Sequence, residues 1–419
     1  MIKINYVENL IIGSGITGLS SASFIKNKNY LIIEKDSEVG GYCKTIKKDG
    51  FTWDYSGHFF HFKDDGIKNY LLKNMVEKDI VDINKKSQIY LNGIYVDFPF
   101  QKNIHQLHQQ DFIDCLYDLF NVSKFDIISF KDMIINKFGA SICRLFLIPY
   151  NEKLYACNLD HLDKDAMGRF FPMADKYEII KNFKIKNNES YNNKFTYPIG
   201  GAIEYVNSLL SYVDKSKILF NQKIKSINME TKTAITLNGE IKFKRLISTI
   251  PLPSLLELLN YKYDEDTFSS NKVLVFNLGF NKKGGDKINH WVYFPENDIR
   301  FYRVGYYDNI FGDNRMSLYV EIGFDKKEII NVNNELERVM ADLVKVGVVS
   351  TDQKLISHHS VIMDPAYVHL SKKSNNETIK IKDALKMHDI YSIGRYGSWT
   401  YCSIEDNIIE ASELIKKIT

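Results

Sequence analysis

The sequence of 419 residues predicts an α/β protein, a doubly wound domain interrupted by a helical insertion and joined to a mostly antiparallel sheet. Three observations predict it. A strand, glycine turn, helix and second strand follow one another from Ile11 to Ile33. Apolar residues at three- and four-residue spacing run from Ile104 to Ile148, and strand-like runs dominate from Ile218 to Ile362.

The opening unit reads Ile11-Ile12-Gly13-Ser14-Gly15-Ile16-Thr17-Gly18-Leu19, the form G-x-G-x-x-G. Gly13 permits the tight turn, Gly15 lets a pyrophosphate approach the backbone, and Gly18 lets helix and strand pack closely. The helix that follows would offer unpaired N–H groups and the positive end of its dipole to phosphate. The second strand, Tyr30 to Ile33, ends in Glu34, the expected ribose partner, followed by Lys35. Gly40-Gly41 then leaves a stretch of bare backbone on which a long flat ligand can lie. A ligand-free glycine hairpin is the competing reading.

The rest of the chain follows in order. Asn92-Gly93 between Gln88–Leu91 and Ile94–Phe98 is a two-residue hairpin signal, closed by Pro99. Phe112, Cys115, Leu116 and Leu119, then Phe138, Ile142, Leu145 and Phe146, mark helices of the insertion, which the Asn-rich loop 187–193 closes. Strands return at Ile218–Asn228, Thr233–Leu237 and Leu246–Ile250, with a second hairpin at Asn238-Gly239. Apolar or alternating runs at Val273–Phe280, His290–Phe294, Phe301–Gly305, Ser317–Phe324 and Leu355–Ile362 predict the antiparallel sheet, crossed by an amphipathic helix at Asn334–Val346. Ile390–Gly394 reads as a last strand and Glu405–Ile415 as a closing helix. The expected division is a dinucleotide domain from 1–65, 200–260 and 385–419, a helical insertion over 100–190, and a sheet domain from 80–100 and 261–384.

Composition narrows the function classes. With 44% hydrophobic residues the chain can bury a sizeable core, and a net charge of +3 without long basic runs argues against nucleic acid as a partner. Cys43, Cys115, Cys143, Cys157 and Cys402 are scattered without C-x-x-C pairs, which fits a reducing cytoplasm and predicts no metal site. No apolar run reaches a membrane span, and the start of the sequence is expected to enter the first strand without a signal peptide. Quaternary state is left open.

Glu34-Lys35, Gly40-Gly41 and Thr45, followed by Gly50-Phe51-Thr52-Trp53-Asp54 and Ser56-Gly57-His58, resemble the amine-oxidase and protoporphyrinogen-oxidase group of FAD proteins. The resemblance implies FAD rather than NAD, on a glutathione-reductase-type domain. A closer likeness comes from four patches. Phe98-Pro99-Phe100-Gln101-x-Asn103-Ile104 and Pro149-Tyr150-Asn151-x-Lys153-Leu154-Tyr155-Ala156 are two of them; Trp291-x-Tyr293-Phe294-Pro295-Glu296 with Phe301-Tyr302-Arg303, and Gly394-Arg395-Tyr396-Gly397-Ser398-Trp399-x-Tyr401, are the others. Together they resemble the UDP-galactopyranose mutases, especially those of eukaryotic type, in the same order along nearly the whole chain.

That resemblance implies a redox-neutral reaction. Reduced flavin N5 attacks the anomeric carbon of a nucleotide-bound pyranose, and the sugar recloses as a furanose before the diphosphate returns. A departing diphosphate needs fixed cations, and arginine's planar fork suits it better than lysine. Arginine is scarce here beside lysine, yet Arg169, Arg303 and Arg395 fall on the family's motifs. By the same resemblance Gly57 and His58 lie beside the flavin N5, and Arg395 and Tyr401 touch the flavin. Phe98, Phe100, Gln101, Asn151, Tyr155, Arg169, Tyr293, Arg303, Tyr367 and Tyr401 would then meet a nucleotide sugar, with a UDP-sugar favoured. Each aromatic residue is equally at home in a core. The chain departs from the family at Ser56 (a glycine there), Tyr155 (a tryptophan) and Glu405 (an asparagine beside the diphosphate), so galactose does not follow. Any NAD(P)H reductant would bind transiently at the flavin face, since no second glycine fingerprint exists. The alternatives are a net oxidoreductase of the amine-oxidase type and a flavin-binding scaffold without catalysis.

Overall fold

The computed structural model describes residues 6–76, 79–123, 125–189 and 193–419. Residues 1–5, assigned above to the first domain, and 190–192, within the Asn-rich loop, lie outside them.

The first sheet has five parallel strands in the order Ile218–Leu219, Tyr30–Ile33, Tyr6–Ile12, Gly239–Ser248 and Ile390–Ser392. Thr233–Thr236 and Ile224–Asn228 extend one side of it as an antiparallel meander. All four residues of Tyr30–Ile33 are buried, as a strand covered on both faces requires. On one face Ile11, Ile32 and Ile247 pack with Leu19 and Ala22 of helix Ile16–Phe24, with Tyr205 and Leu209 of helix Ile203–Leu210, and with Ile408 and Ile415 of helix Ile404–Ile418.

The second sheet runs in the order Leu355–Met363, Asn271–Phe280, Ser317–Asp325, Arg303–Tyr306, Trp291–Tyr293, Ser87–Leu91, Ile94–Asp97. It is antiparallel except where Trp291–Tyr293 pairs in parallel with Ser87–Leu91. The Asn92-Gly93 turn has φ of 50° and 81°, the mirror-image turn whose twist suits a two-residue hairpin. Helix Val332–Lys345 covers one face through Val339 and Leu343, which are fully buried.

The insertion holds helices Gln109–Phe120, Phe130–Ile142 and Ile148–Tyr155, and helix Lys176–Lys184, which the periodicity did not single out. A wide π-type turn at Cys143–Leu147 joins two of them without a gap, Phe130–Ile142 to Ile148–Tyr155. Strand Ile80–Asn84, paired with Lys194–Pro198, brackets the insertion. Among the described residues no helix is long and apolar enough to cross a membrane.

Candidate functional site

A cleft of about 1540 Å³ runs from the C-terminal ends of the parallel strands to the face of the second sheet. Single-ligand pockets measure about 300–1,000 Å³, so this one has room for a dinucleotide and a second ligand.

Its first end is built from the glycine turn. A Cβ on Gly18 would sit 2.0 Å from the Gly13 carbonyl oxygen, so only glycine lets the helix seat against the turn. Gly15 caps helix Ile16–Phe24 without a side-chain acceptor and without an acidic residue in the first turn, which leaves those N–H groups to a ligand. Across from it, a Cβ direction from Gly15 ends 3.9 Å from the Gly41 Cα, and the Gly40 N–H donates to the Ser14 carbonyl at 3.0 Å. Two bare backbones therefore face each other. Glu34 is buried, with Oε2 accepting from the Ser14 N–H (2.8 Å) and hydroxyl (2.6 Å) and Oε1 from the Asp36 N–H (2.9 Å). Lys35 is exposed at the cleft edge, and residues 222–225 close this end. Bare glycine backbone, a helix N-terminus without a side-chain cap and a fixed carboxylate together fit an adenine dinucleotide.

The opposite end centres on Ser56-Gly57-His58. The His58 Nδ1 lies 3.0 Å from the Ser56 carbonyl, which can only accept, so Nδ1 carries the proton and Nε2 is bare. Burial pushes the His58 imidazolium down to about 4, with Arg395 and Arg303 adding to the effect, so the ring is neutral near pH 7. A Cβ on Gly57 would fall 2.6 Å from the Tyr319 hydroxyl, which explains a glycine there. The Ser56 hydroxyl donates to Glu321, and Glu321 in turn pairs with the Arg303 guanidinium. Glu321 is 1% exposed and Arg303 19%. Glu321 is thus the joint between the histidine loop and the arginine, and sequence reasoning passed over it. A lone carboxylate in the apolar run Ser317–Phe324 was the available signal.

Arg395 lies over the Tyr401, Tyr367 and Tyr396 rings at 4.6, 5.6 and 5.9 Å and donates to the Cys402 carbonyl at 2.9 Å. Among the described residues no carboxylate comes within 4.0 Å of it, so its charge faces rings and cleft. Its backbone N–H is held by Asn407, which also accepts from Thr17 (2.8 and 3.0 Å). Tyr367 and Tyr401 stack at 6.0 Å, and both arginines act on the Tyr367 phenol. Burial pushes the Tyr367 hydroxyl well up and the Tyr293 hydroxyl to about 12, so both phenols stay protonated.

Between the ends lies an aromatic wall. Tyr293 packs on Phe98 (5.2 Å) and Tyr150 (5.1 Å), and its hydroxyl accepts from Trp291 at 2.7 Å. Asn151 gives its amide N–H to the Leu147 carbonyl at 2.6 Å, and its buried Oδ1, on the cleft wall, has no partner among the described residues. Trp399 Nε1 is likewise buried and has no partner among the described residues. Three other sequence candidates stand behind this wall instead of lining it. Phe100 packs on Phe146 at 5.0 Å, Gln101 donates to the Pro172 carbonyl, and Tyr155 meets Tyr367 edge-on at 5.7 Å. Arg169 is on the rim, pairing with Asp406 at 2.6 Å, while its neighbours Met167 and Phe170 line the cleft. Glu405 uses Oε1 to accept from the N–H groups of Lys63 (2.8 Å) and Asp64 (2.9 Å), which removes much of the repulsion a carboxylate would impose on phosphate.

Comparison with known proteins agrees with this geometry. A profile of the NAD(P)-binding Rossmann-like domain matches residues 11–71. Over its whole length the chain is similar to a crystal structure of reduced UDP-galactopyranose mutase, with a TM-score of 0.89, 24% identity and coverage of 98% of this chain and 95% of that one. It is also similar to a structure from Exiguobacterium sp. 255-15 described as a protoporphyrinogen oxidase (TM-score 0.78, 16% identity, 100% and 99% covered). Among curated proteins it matches the corticosteroid-binding protein of Candida albicans (31% identity over 86 residues) and a 4,4'-diapophytoene desaturase of Staphylococcus aureus (30% over 89). These matches take in 18% and 21% of this chain and only 17% of either relative. The chain thus shares its overall fold with the UDP-galactopyranose mutase and protoporphyrinogen-oxidase structures, built on an NAD(P)-binding Rossmann-like unit.

Proposed function

We propose that the protein is a flavin-dependent nucleotide-sugar pyranose/furanose mutase, acting on a UDP-sugar and serving surface-glycan synthesis. The observation that carries this reading is the placement of Arg303 and Arg395 in one cleft with His58, opposite the glycine turn. Gly13, Gly15, Gly18, Glu34, Gly40 and Gly41 would hold the adenine dinucleotide half, and Gly57, His58, Arg395 and Tyr401 would border the isoalloxazine. Reduced FAD, when bound, supplies the nucleophile for the anomeric carbon. The chain's own residues do the rest. Arg395 meets the departing diphosphate with an uncompensated charge, and Arg303, held by Glu321, meets it with a directed fork. The protonated Tyr367, Tyr401 and Tyr293 hydroxyls donate to phosphate or sugar oxygens. The neutral His58 ring neither repels a cationic sugar nor competes with the arginines for phosphate. Asn151 Oδ1 is a free acceptor for a hydroxyl, and Phe98, Tyr150 and Tyr293 offer flat faces for a base.

One observation favours a second reading. Arg303 is neutralised by Glu321, and the wall beside it is mostly aromatic, which would also suit an oxidoreductase of the amine-oxidase type. Anaerobic incubation of the dithionite-reduced protein with a panel of nucleotide sugars, UDP-galactopyranose first, separates the two. A furanose product formed only by the reduced protein supports the mutase. Absence of furanose with every donor, or substrate-dependent bleaching of the oxidised flavin, overturns it.

A further inference from the structure

The two ends of the cleft are joined through one side-chain oxygen. Asn407, near the start of helix Ile404–Ile418 and 8% exposed, turns its Oδ1 to two donors. The Thr17 hydroxyl reaches it from the first turn of helix Ile16–Phe24 at 3.0 Å, and the Arg395 backbone N–H reaches it from the turn 394–397 at 2.8 Å. An amide oxygen has two lone pairs, so both are used. Its Nδ2 donates to the Ser403 carbonyl at 2.7 Å and to the Cys402 Sγ at 3.4 Å, which fixes the orientation of the amide.

Arg395 is therefore held at both ends by the same residue. Its backbone N–H is bound by Asn407 directly, and its guanidinium donates at 2.9 Å to the carbonyl of Cys402, in the segment that the Asn407 amide ties down. Three residues further along the same helix face, Glu410 accepts from the Gly394 N–H at 2.8 Å and from the Ser398 hydroxyl at 2.5 Å. Two consecutive N–H groups are thus gripped from one helix. The turn also rests on the first helix, because a Cβ on Gly394, whose φ is 85°, would fall 2.6 Å from the Thr17 hydroxyl. Thr17 itself stands two residues after Gly15, in the turn whose N–H groups face a dinucleotide phosphate, and it lines the cleft together with Asn407 and Arg395. A phosphate that orders this turn orders the hydroxyl that Asn407 accepts.

We propose that Asn407 is a positioning residue that aims Arg395 and couples it to the glycine turn through Thr17, so that a dinucleotide at one end and a diphosphate at the other strengthen each other's binding. The proposal rests on the reading that the cleft takes FAD at the glycine turn and a diphosphate at Arg395. Such a coupling is reciprocal and is read as a ratio of affinities.

UDP is the probe, because it carries the diphosphate without the sugar. Dilution of the flavin-loaded protein, with the fluorescence of freed FAD read at equilibrium, gives the flavin Kd with and without saturating UDP. In the wild-type chain UDP should lower that Kd by about fivefold or more. The ratio should fall to unity in Thr17→Val and in Asn407→Leu, and should persist in Asn407→Asp, which keeps both acceptor contacts. A purely structural role would raise the flavin Kd and leave the ratio as it was, which overturns the proposal. Should Asn407→Leu fail to fold, Thr17→Val decides, since there Asn407 keeps its hold on Arg395 and Ser403. UDP that binds the wild-type chain without shifting the flavin Kd overturns the coupling and leaves the site reading standing. No binding of UDP, seen as no heat in calorimetry and an unchanged flavin spectrum, overturns the site reading and the proposal with it.

Discussion

The ion pair between Arg303 and Glu321 sets how this cleft handles charge. The pair is almost dry, and removing one member of such a pair leaves the other without a counter-charge. Glu321→Ala is therefore expected to lower stability by about 3–5 kcal/mol in urea unfolding and to free the Ser56 hydroxyl. Arg169→Ala breaks a pair whose side chains are 39% and 32% exposed, and should cost about 1 kcal/mol or less. Arg395 has a different task, since rings and not carboxylates surround it. Arg395→Lys keeps the charge but loses the planar fork. Under the mutase reading turnover should fall roughly 100-fold with flavin content unchanged; a variant that turns over normally would remove Arg395 from the site.

Two elements govern the geometry around these groups. In the glycine turn, Gly18→Ala would place a methyl 2.0 Å from the Gly13 carbonyl, so helix Ile16–Phe24 must back away from its strand. The expected outcome is loss of the bound flavin on gel filtration, read as a fall in absorbance of the cofactor against that of the protein. The other element is the segment between Tyr293 and Arg303. The Lys153 ammonium donates to the carbonyls of Phe294, Glu296, Ile299 and Phe301 at 2.6–3.0 Å, tying that segment to the helix that carries Tyr150 and Asn151. Lys153→Met strips four acceptors of a charged donor, and should cost about 2–3 kcal/mol by urea unfolding and raise KM more than it lowers kcat. Lys153 shows where the sequence was legible and where it was not. Glycine spacing, strand alternation and the Asn92-Gly93 turn are local signals, so the parallel sheet, the antiparallel sheet and the hairpin could be read in advance. A lysine satisfied by carbonyls about 145 residues away, or a glutamate that joins a loop at Ser56 to a strand at Arg303, is defined only by tertiary contact. The same holds for Phe100, Gln101 and Tyr155, whose motif placed them near the cleft without saying which side of its wall they occupy.

Over the whole molecule, burial of histidine dictates the response to acid. His58, His61 and His290 are each pushed down to about 4 by burial, against an ordinary value near 6.5. His290 has a geometric reason as well, because its Nδ1 accepts from the Lys86 N–H at 2.9 Å and must be bare. Between about pH 6.5 and 4 the unfolded chain binds protons that the native chain refuses, so stability falls as pH falls through that window. Asp54, buried and pushed up to about 6, acts in the opposite sense between about pH 4 and 6, where the native state keeps its proton first. Burial lowers His105, His359 and His369 in the same sense and raises Asp308 and Glu152 along with Asp54, so six histidines stand against three carboxyls and leave a net loss. The urea midpoint should be lower at pH 5 than at pH 7, with a shallower dependence in His290→Gln; a midpoint indifferent to pH would contradict it. The parallel sheet has a consequence of another kind. Its strands come from residues 6–33, 218–248 and 390–392, and the Thr17 hydroxyl bonds to Asn407, 390 residues away. During synthesis the glycine turn emerges from the ribosome first, yet it waits for the residues from about 390 onward before its flank is complete. A nascent chain stalled near residue 385 would present both inserted units and an unfinished cradle, and cofactor loading should be a strictly post-translational event.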